Sequence, residues 1–183
     1  NPGGHEFDLT YSLRTDAGRK LMGVFDLNGD GRDEFVFRRT TIQGDVLESA
    51  YLTTLTYEIE DEFGNTQIVE ERYWSQQVLW RNRNARVRLV GIADMDGDGN
   101  ADLVLHDPTG NRLQVVRLVD SGDGYMQEDA ILPTMTLPAG WTPFALGDYR
   151  GDAEAEVMLR NPNVPRRVKF LNWFSDATTL VET

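Results

Sequence analysis

One segment of this 183-residue chain recurs three times, and that recurrence restricts its possible folds more than any other feature. GVFDLNGDGRDEFVF at 23–37 aligns without gaps with GIADMDGDGNADLVL at 91–105, and LGDYRGDAEAEVML at 146–159 is a weaker third copy. Asp26, Asp94 and Asp148 open the three acidic loops, at intervals of 68 and 54 residues. Such a period marks a chain built from stacked units, each too small to bury its apolar surface alone.

The segments between the loops read as strands. HEFDLTYSL, SAYLTTLTYEIE and RLQVVRL are rich in β-branched or aromatic residues, with turn signals FGN, DPTGN and SGDG between strands. YLTTLTYEIEDEFGNTQIVEERYW reads as a long hairpin turning at Asp61 to Asn65, which accounts for the longer first interval. No segment combines helix caps with a sustained 3.6-residue apolar period. The fold class expected is all-β, in units of about four short strands, the size of a propeller blade. Each acidic loop runs into consecutive apolar residues, Phe35 to Phe37, Leu103 to Leu105 and Val157 to Leu159. An uninterrupted run is buried on both faces, as the innermost strand of a unit covered by neighbours on either side would be.

Counted from the first aspartate, the loop oxygens fall at positions 1, 3, 5 and 9. These are Asp26, Asn28, Asp30 and Glu34 in the first copy, and Asp94, Asp96, Asp98 and Asp102 in the second. Hard oxygen donors gathered from one short segment suit Ca²⁺, which takes six to eight of them in flexible geometry. Gly31 and Gly99 at position 6 permit the positive φ of a sharp turn, and the carbonyl at position 7, from Arg32 or Asn100, is a further donor. Mg²⁺ fits less well because it demands octahedral geometry and retains water. Zinc prefers His or Cys; the chain has no Cys, and neither His5 nor His106 lies in a loop. An EF-hand is excluded, since position 12 is Phe37, Leu105 or Leu159 where that motif needs a bidentate Glu.

The pattern D-x-[DN]-x-D-G-x-x-[DE] before an apolar strand resembles the FG-GAP or VCBS-type repeat of calcium-binding β-propellers, which includes the integrin α-subunit head. The third copy, with Trp141 leading into ALGDYRGDAEAEVMLRN, is similar to the bacterial form. The resemblance implies about three four-stranded antiparallel blades, near 11–79, 80–136 and 137–175, in one propeller segment spanning 1–183. Residues 1–10 and 176–183 are then edge strands or linkers. It also implies Ca²⁺ held by the side chains at positions 1, 3, 5 and 9 of the first two loops.

The third loop departs from the pattern. Arg150 replaces a ligand and Ala153 a glycine, while Asp148, Asp152 and Glu156 keep carboxylates. A guanidinium among carboxylates substitutes for a metal as a permanent internal cation, so this loop is expected to be metal-free.

A net charge of −12 opposes nucleic-acid binding, which calls for a basic surface, and favours cations or basic partners. No run is long and apolar enough to span a bilayer as a helix. Asn1 is not Met and no apolar leader core follows it, so a processed or partial chain is expected. Arg150-Gly151-Asp152 spells an integrin-recognised tripeptide, but the repeat already explains Gly151 and Asp152. His106 occupies the strand-end place of Arg38 and Arg160, which fits a polar terminus better than a general base. Trp74, Trp80, Trp141 and Trp173 do not recur in register: the places matching Trp141 hold Arg19 and Val87. Packing is therefore favoured over sugar stacking.

No nucleophile, base and orienter come together by proximity, so the chain is not expected to be an enzyme. The expectation is an extracellular, secreted or cell-surface calcium-binding module for adhesion, recognition or assembly, with a protein partner or self-association through open blade edges. A lectin-like glycan-binding module and an accessory segment of a secreted hydrolase are the alternatives.

Overall fold

A computed structural model describes residues 18–82, 84, 86–122, 126–164, 167–172 and 180–182. HEFDLTYSL, His5 and Trp173 lie outside the described residues. The described chain is all-β. β1 (Arg19–Phe25), β2 (Glu34–Thr41), β3 (Gly44–Glu60) and β4 (Thr66–Arg81) form a first antiparallel sheet in that order. β5 (Arg88–Ala93), β6 (Asp102–Asp107), β7 (Arg112–Asp120) and β8 (Met126–Ile131) form the second, with the short β9 (Met135–Thr136) paired to β7. β10 (Thr142–Gly147), β11 (Glu156–Arg160) and β12 (Val168–Leu171) form the third, and β13 (Leu180–Glu182) pairs with β12.

Each acidic loop joins the first strand of its sheet to the second. The apolar run, buried as expected, is not the innermost strand that the sequence pattern suggested but the second strand, hydrogen-bonded on both sides. The correction has a simple cause: an interior strand whose sheet is covered on both faces carries the same uninterrupted apolar signal. In the second sheet β6 is covered on both faces. Leu103 and Leu105 face a core shared with Val36, Leu47 and Leu79 of the first sheet. Val104, Val115 and Leu113 face another core shared with Val157, Leu159 and Leu171 of the third. A fully buried side chain of this size contributes about 1.5–3 kcal/mol, so the two cores hold the three sheets in series.

The three sheets share an irregularity that the sequence does not advertise. The pairing of the first two strands slips between Leu21 and Gly23, between Leu89 and Gly91, and between Pro143 and Ala145. These are equivalent positions, just ahead of each first aspartate, so one bulge recurs in every copy and aims the strand into the loop in the same way. The third copy, weakest in sequence, keeps it.

Beyond Ala50, β3 has only β4 as a partner among the described residues. The hairpin continues as a two-stranded ribbon to the turn at Asp61–Asn65, where Asp61 accepts the amides of Phe63 and Asn65. Leu55, Ile59 and Tyr73 are exposed on the ribbon, as are Ile68 and Phe63.

Candidate metal centre

All three loops are wound by the same hydrogen bonds. The position-1 carboxylate accepts backbone amides from across the turn: Asp30 and Gly31 donate to Asp26, Gly97 and Gly99 to Asp94, and Gly151, Asp152 and Ala153 to Asp148. The position-9 carboxylate folds back to the start of the loop and accepts the position-2 amide. Leu27 donates to Glu34 at 2.9 Å, Met95 to Asp102 at 3.1 Å and Tyr149 to Glu156 at 2.9 Å. Positive φ occurs at positions 4 and 6 of every copy: Gly29 and Gly31, Gly97 and Gly99, Gly151 and Ala153. Position 4 went unnoticed in the sequence although a glycine stands there each time.

In the second loop three carboxylates converge. One oxygen each from Asp94, Asp96 and Asp102 lies within 4.8 Å of the others. Oxygens this close could hold one metal ion between them. Asp102 is 1% exposed. Desolvation, reinforced by the charges of Asp96 and Asp98 and opposed by the Met95 and Leu118 amides, pushes it up to about 7. Asp96 is raised as well, by desolvation and by Asp98 against the opposing pull of Arg117. Carboxylates are thus crowded together here, and the donor set is all oxygen. The residues fit a hard divalent cation. Asp98 does not join the triad; it accepts a hydrogen bond from Arg117 Nη2 at 3.1 Å and one from the Asn100 amide at 2.8 Å.

The first loop has the same donors in a looser arrangement. Asp26, Asp30 and Glu34 do not converge as the second-loop triad does; that triad is the one such group among the described residues. Asn28 reaches Asp120 of the second sheet at 3.4 Å, and Asp30 accepts the Arg32 amide. A cavity of about 530 Å³ opens here, lined by Asn28, Asp30, Arg32, Glu34, Tyr51 and Asp120 among others. Desolvation raises Glu34, and the charges of Asp30, Asp26 and Asp33 add to it against the Leu27 amide.

In the third loop Arg150 contacts Asp152, places Nε 2.7 Å from Glu156 Oε1, and lies 3.7 Å from Glu154. The guanidinium does sit among carboxylates, but Glu154 belongs to its set and Asp148 does not. Asp148 is engaged by backbone amides, which outweigh desolvation and hold it below the usual carboxylate range.

The loops touch in sequence order. The Ala101 amide donates to the Leu27 carbonyl at 2.8 Å, and the Ala155 amide to the Asp94 carbonyl at 2.8 Å. Leu27 and Ala101 are buried in the first core, Met95 and Ala155 in the second. At the two ends of this row the matching residues are uncovered. Asp33, the counterpart of Ala101 and Ala155, is exposed, and Tyr149, the counterpart of Leu27 and Met95, is exposed beside Phe170.

One contributor to the site was not foreseen. The third strand of each sheet brings a side chain to its loop, one residue past the partner of position 10: Tyr51, Arg117 and Asn172. Tyr51 lines the first cavity, Arg117 pairs with Asp96 and Asp98, and Asn172 reaches Glu154 at 3.4 Å. The strand register alone would reveal them.

The remaining candidates are structural in their surroundings. His106 is buried with Nε2 3.3 Å from Asn111 Oδ1. Trp141 is buried in the second core beneath Lys169, Trp80 packs on the first core, and Trp74 meets Phe35 edge-on. Val87 packs on the first core and Arg19 lies over Phe37, so the places equivalent to Trp141 serve packing too. No family model, curated protein or solved structure matches this chain.

Proposed function

We propose that the three sheets are blades of a calcium-binding propeller of the FG-GAP or VCBS kind, and that the chain is a structural module for adhesion, recognition or assembly outside the cell. The observation that carries this reading is the convergence of Asp94, Asp96 and Asp102 in a loop whose winding recurs in every sheet. Ca²⁺ neutralises the charge that the second loop concentrates, with Asp98 and the Asn100 carbonyl completing the shell. In the first loop it draws together Asp26, Asn28, Asp30, Glu34 and the Arg32 carbonyl. The third loop uses Arg150 instead.

Extracellular calcium modules work at affinities of ~10⁻⁴–10⁻³ M, so such loops are filled outside cells. Three blades are fewer than the four to eight of a closed ring. The exposed Tyr149, set edge-on against the half-buried Phe170, supports a further sheet or a protein partner at that end of the row. The exposed apolar side chains of the β3–β4 ribbon offer a second contact surface.

The test is a thermal melt of chelator-treated protein with and without added Ca²⁺. Millimolar Ca²⁺ is about 1–10 times such a Kd and stabilises the folded state by about 0.4–1.4 kcal/mol, so the midpoint should rise and Asp96→Asn should blunt the rise. A midpoint indifferent to Ca²⁺ removes the structural role.

A further inference from the structure

The three loops differ most in how each meets its own negative charge. In the third, Arg150 is part of the loop and touches Asp152, Glu154 and Glu156. In the second the cation comes from outside, since Arg117 reaches over from β7 with Nε 3.1 Å from Asp96 and Nη2 3.1 Å from Asp98. In the first the same strand position holds Tyr51, and among the described residues no ion pair reaches Asp26, Asp30 or Glu34.

We propose that Arg117 is a built-in competitor for the cation of the second loop, so that the three loops are graded: the first depends on a divalent ion, the second is contested, and the third is self-sufficient. The inference rests on the metal reading above and adds to it an order of occupancy and the residue that sets it.

Three features suit Arg117 to an exchangeable role. Its Nε faces Asp96 without hydrogen-bond geometry, so that contact is electrostatic and undirected. Its side chain is about a third exposed, so it can withdraw without opening the core. A second anion is at hand, because Asp129 on β8 adjoins Ala130, the strand partner of Arg117, and contributes to the field that holds its charge. The residue contacts two of the second loop's oxygen donors, Asp96 and Asp98. An entering ion must therefore displace it, whereas among the described residues the first-loop carboxylates have no ion-paired cation to displace, Arg32 lining their cavity without pairing with them.

A unit charge within ~4–6 Å changes a carboxylate's proton affinity by roughly ten- to a thousandfold. A divalent ion binding the same carboxylates responds at least as strongly, so about tenfold is a lower bound for the effect of Arg117 on Ca²⁺ affinity.

The experiment is a Ca²⁺ titration of the chelator-stripped full chain labelled with [¹⁵N]glycine, followed by NMR. Gly31 reports the first loop, Gly97 the second and Gly151 the third, while Gly29 and Gly99, which abut one another, respond to both of the first two. In the wild type the first-loop signals should saturate at lower Ca²⁺ than the second-loop signals, with Gly151 unmoved. Arg117→Gln should lower the second-loop midpoint at least tenfold and leave the first in place. Arg117→Met, which keeps the apolar stem, answers the same question should the Gln variant fold poorly. If Arg117 merely braces the loop, both variants leave the midpoint where it was or raise it, and the competition is refuted while the metal reading stands. If no glycine in any loop responds to Ca²⁺ in wild type or variants, the metal reading falls and the competitor with it.

Discussion

Gly29 of the first loop lies so close to Gly99 of the second that a Cβ on Gly29 would stand 2.5 Å from the Gly99 carbonyl oxygen. The neighbouring Gly31 has equally positive φ but open space around its missing Cβ. The two positions therefore separate backbone strain from contact between loops. Gly31→Ala should cost about 1–2 kcal/mol, the price of a left-handed residue, whereas Gly29→Ala adds a backbone clash and should cost clearly more. Urea unfolding of the two variants checks the order; equal losses would mean the loops do not bear on one another.

Ala153 has φ of 70° at the place where the other copies have glycine. Ala153→Gly should relieve that strain and stabilise the protein by about 1 kcal/mol, an unusual direction for a substitution to glycine. Chemical denaturation with and without Ca²⁺ should give the same gain.

Glu156 is almost wholly buried and its Oε1 faces Arg150. Arg150→Ala should destabilise by about 2 kcal/mol, below the 3–5 of a fully buried pair because the arginine is half exposed. Adding Glu156→Gln to that variant should recover much of the loss. A double mutant no better than the single would show that the guanidinium does not neutralise this carboxylate.

The metal-free protein should lose stability as pH rises from about 4 to about 7. Asp102 is held at about 7 against an ordinary 3.8, so across that window the folded chain keeps a proton that the unfolded chain has released. The contribution is complete below the lower value and gone above the upper one. Glu34 and Asp96, raised by desolvation and by neighbouring carboxylates, act in the same sense. Asp61, held low by Asn65, and Asp148, held low by backbone amides despite desolvation, act oppositely at more acid pH. Melts in chelator across this range should show the decline, and Asp102→Asn should flatten it.

The pattern of residues foretold the all-β class, the hairpin turn at Asp61–Asn65 and the positive φ at Gly31 and Gly99, because each is local to a few residues. What it concealed depends on register. Arg117 reaches Asp96 only through the pairing of Leu103 with Val116, and no spacing in the sequence encodes that pairing. The choice of Glu154 over Asp148 as a partner of Arg150 is hidden for a related reason, since backbone amides had already claimed Asp148. The second-strand placement of Phe35 to Phe37 was misread because burial, unlike topology, leaves no mark of which edge is free.

The contact that joins neighbouring loops needs a methyl group on the arriving side, supplied by Ala101 and Ala155, and a large side chain on the receiving side. Asp33 puts a charge where the methyl belongs, so nothing can lean on the first sheet from behind in this manner without entombing a carboxylate. The array accordingly has a front and a back. Among the described sheets, the end that still presents a large receiving side chain is the one at Tyr149, in the direction that the chain itself is travelling.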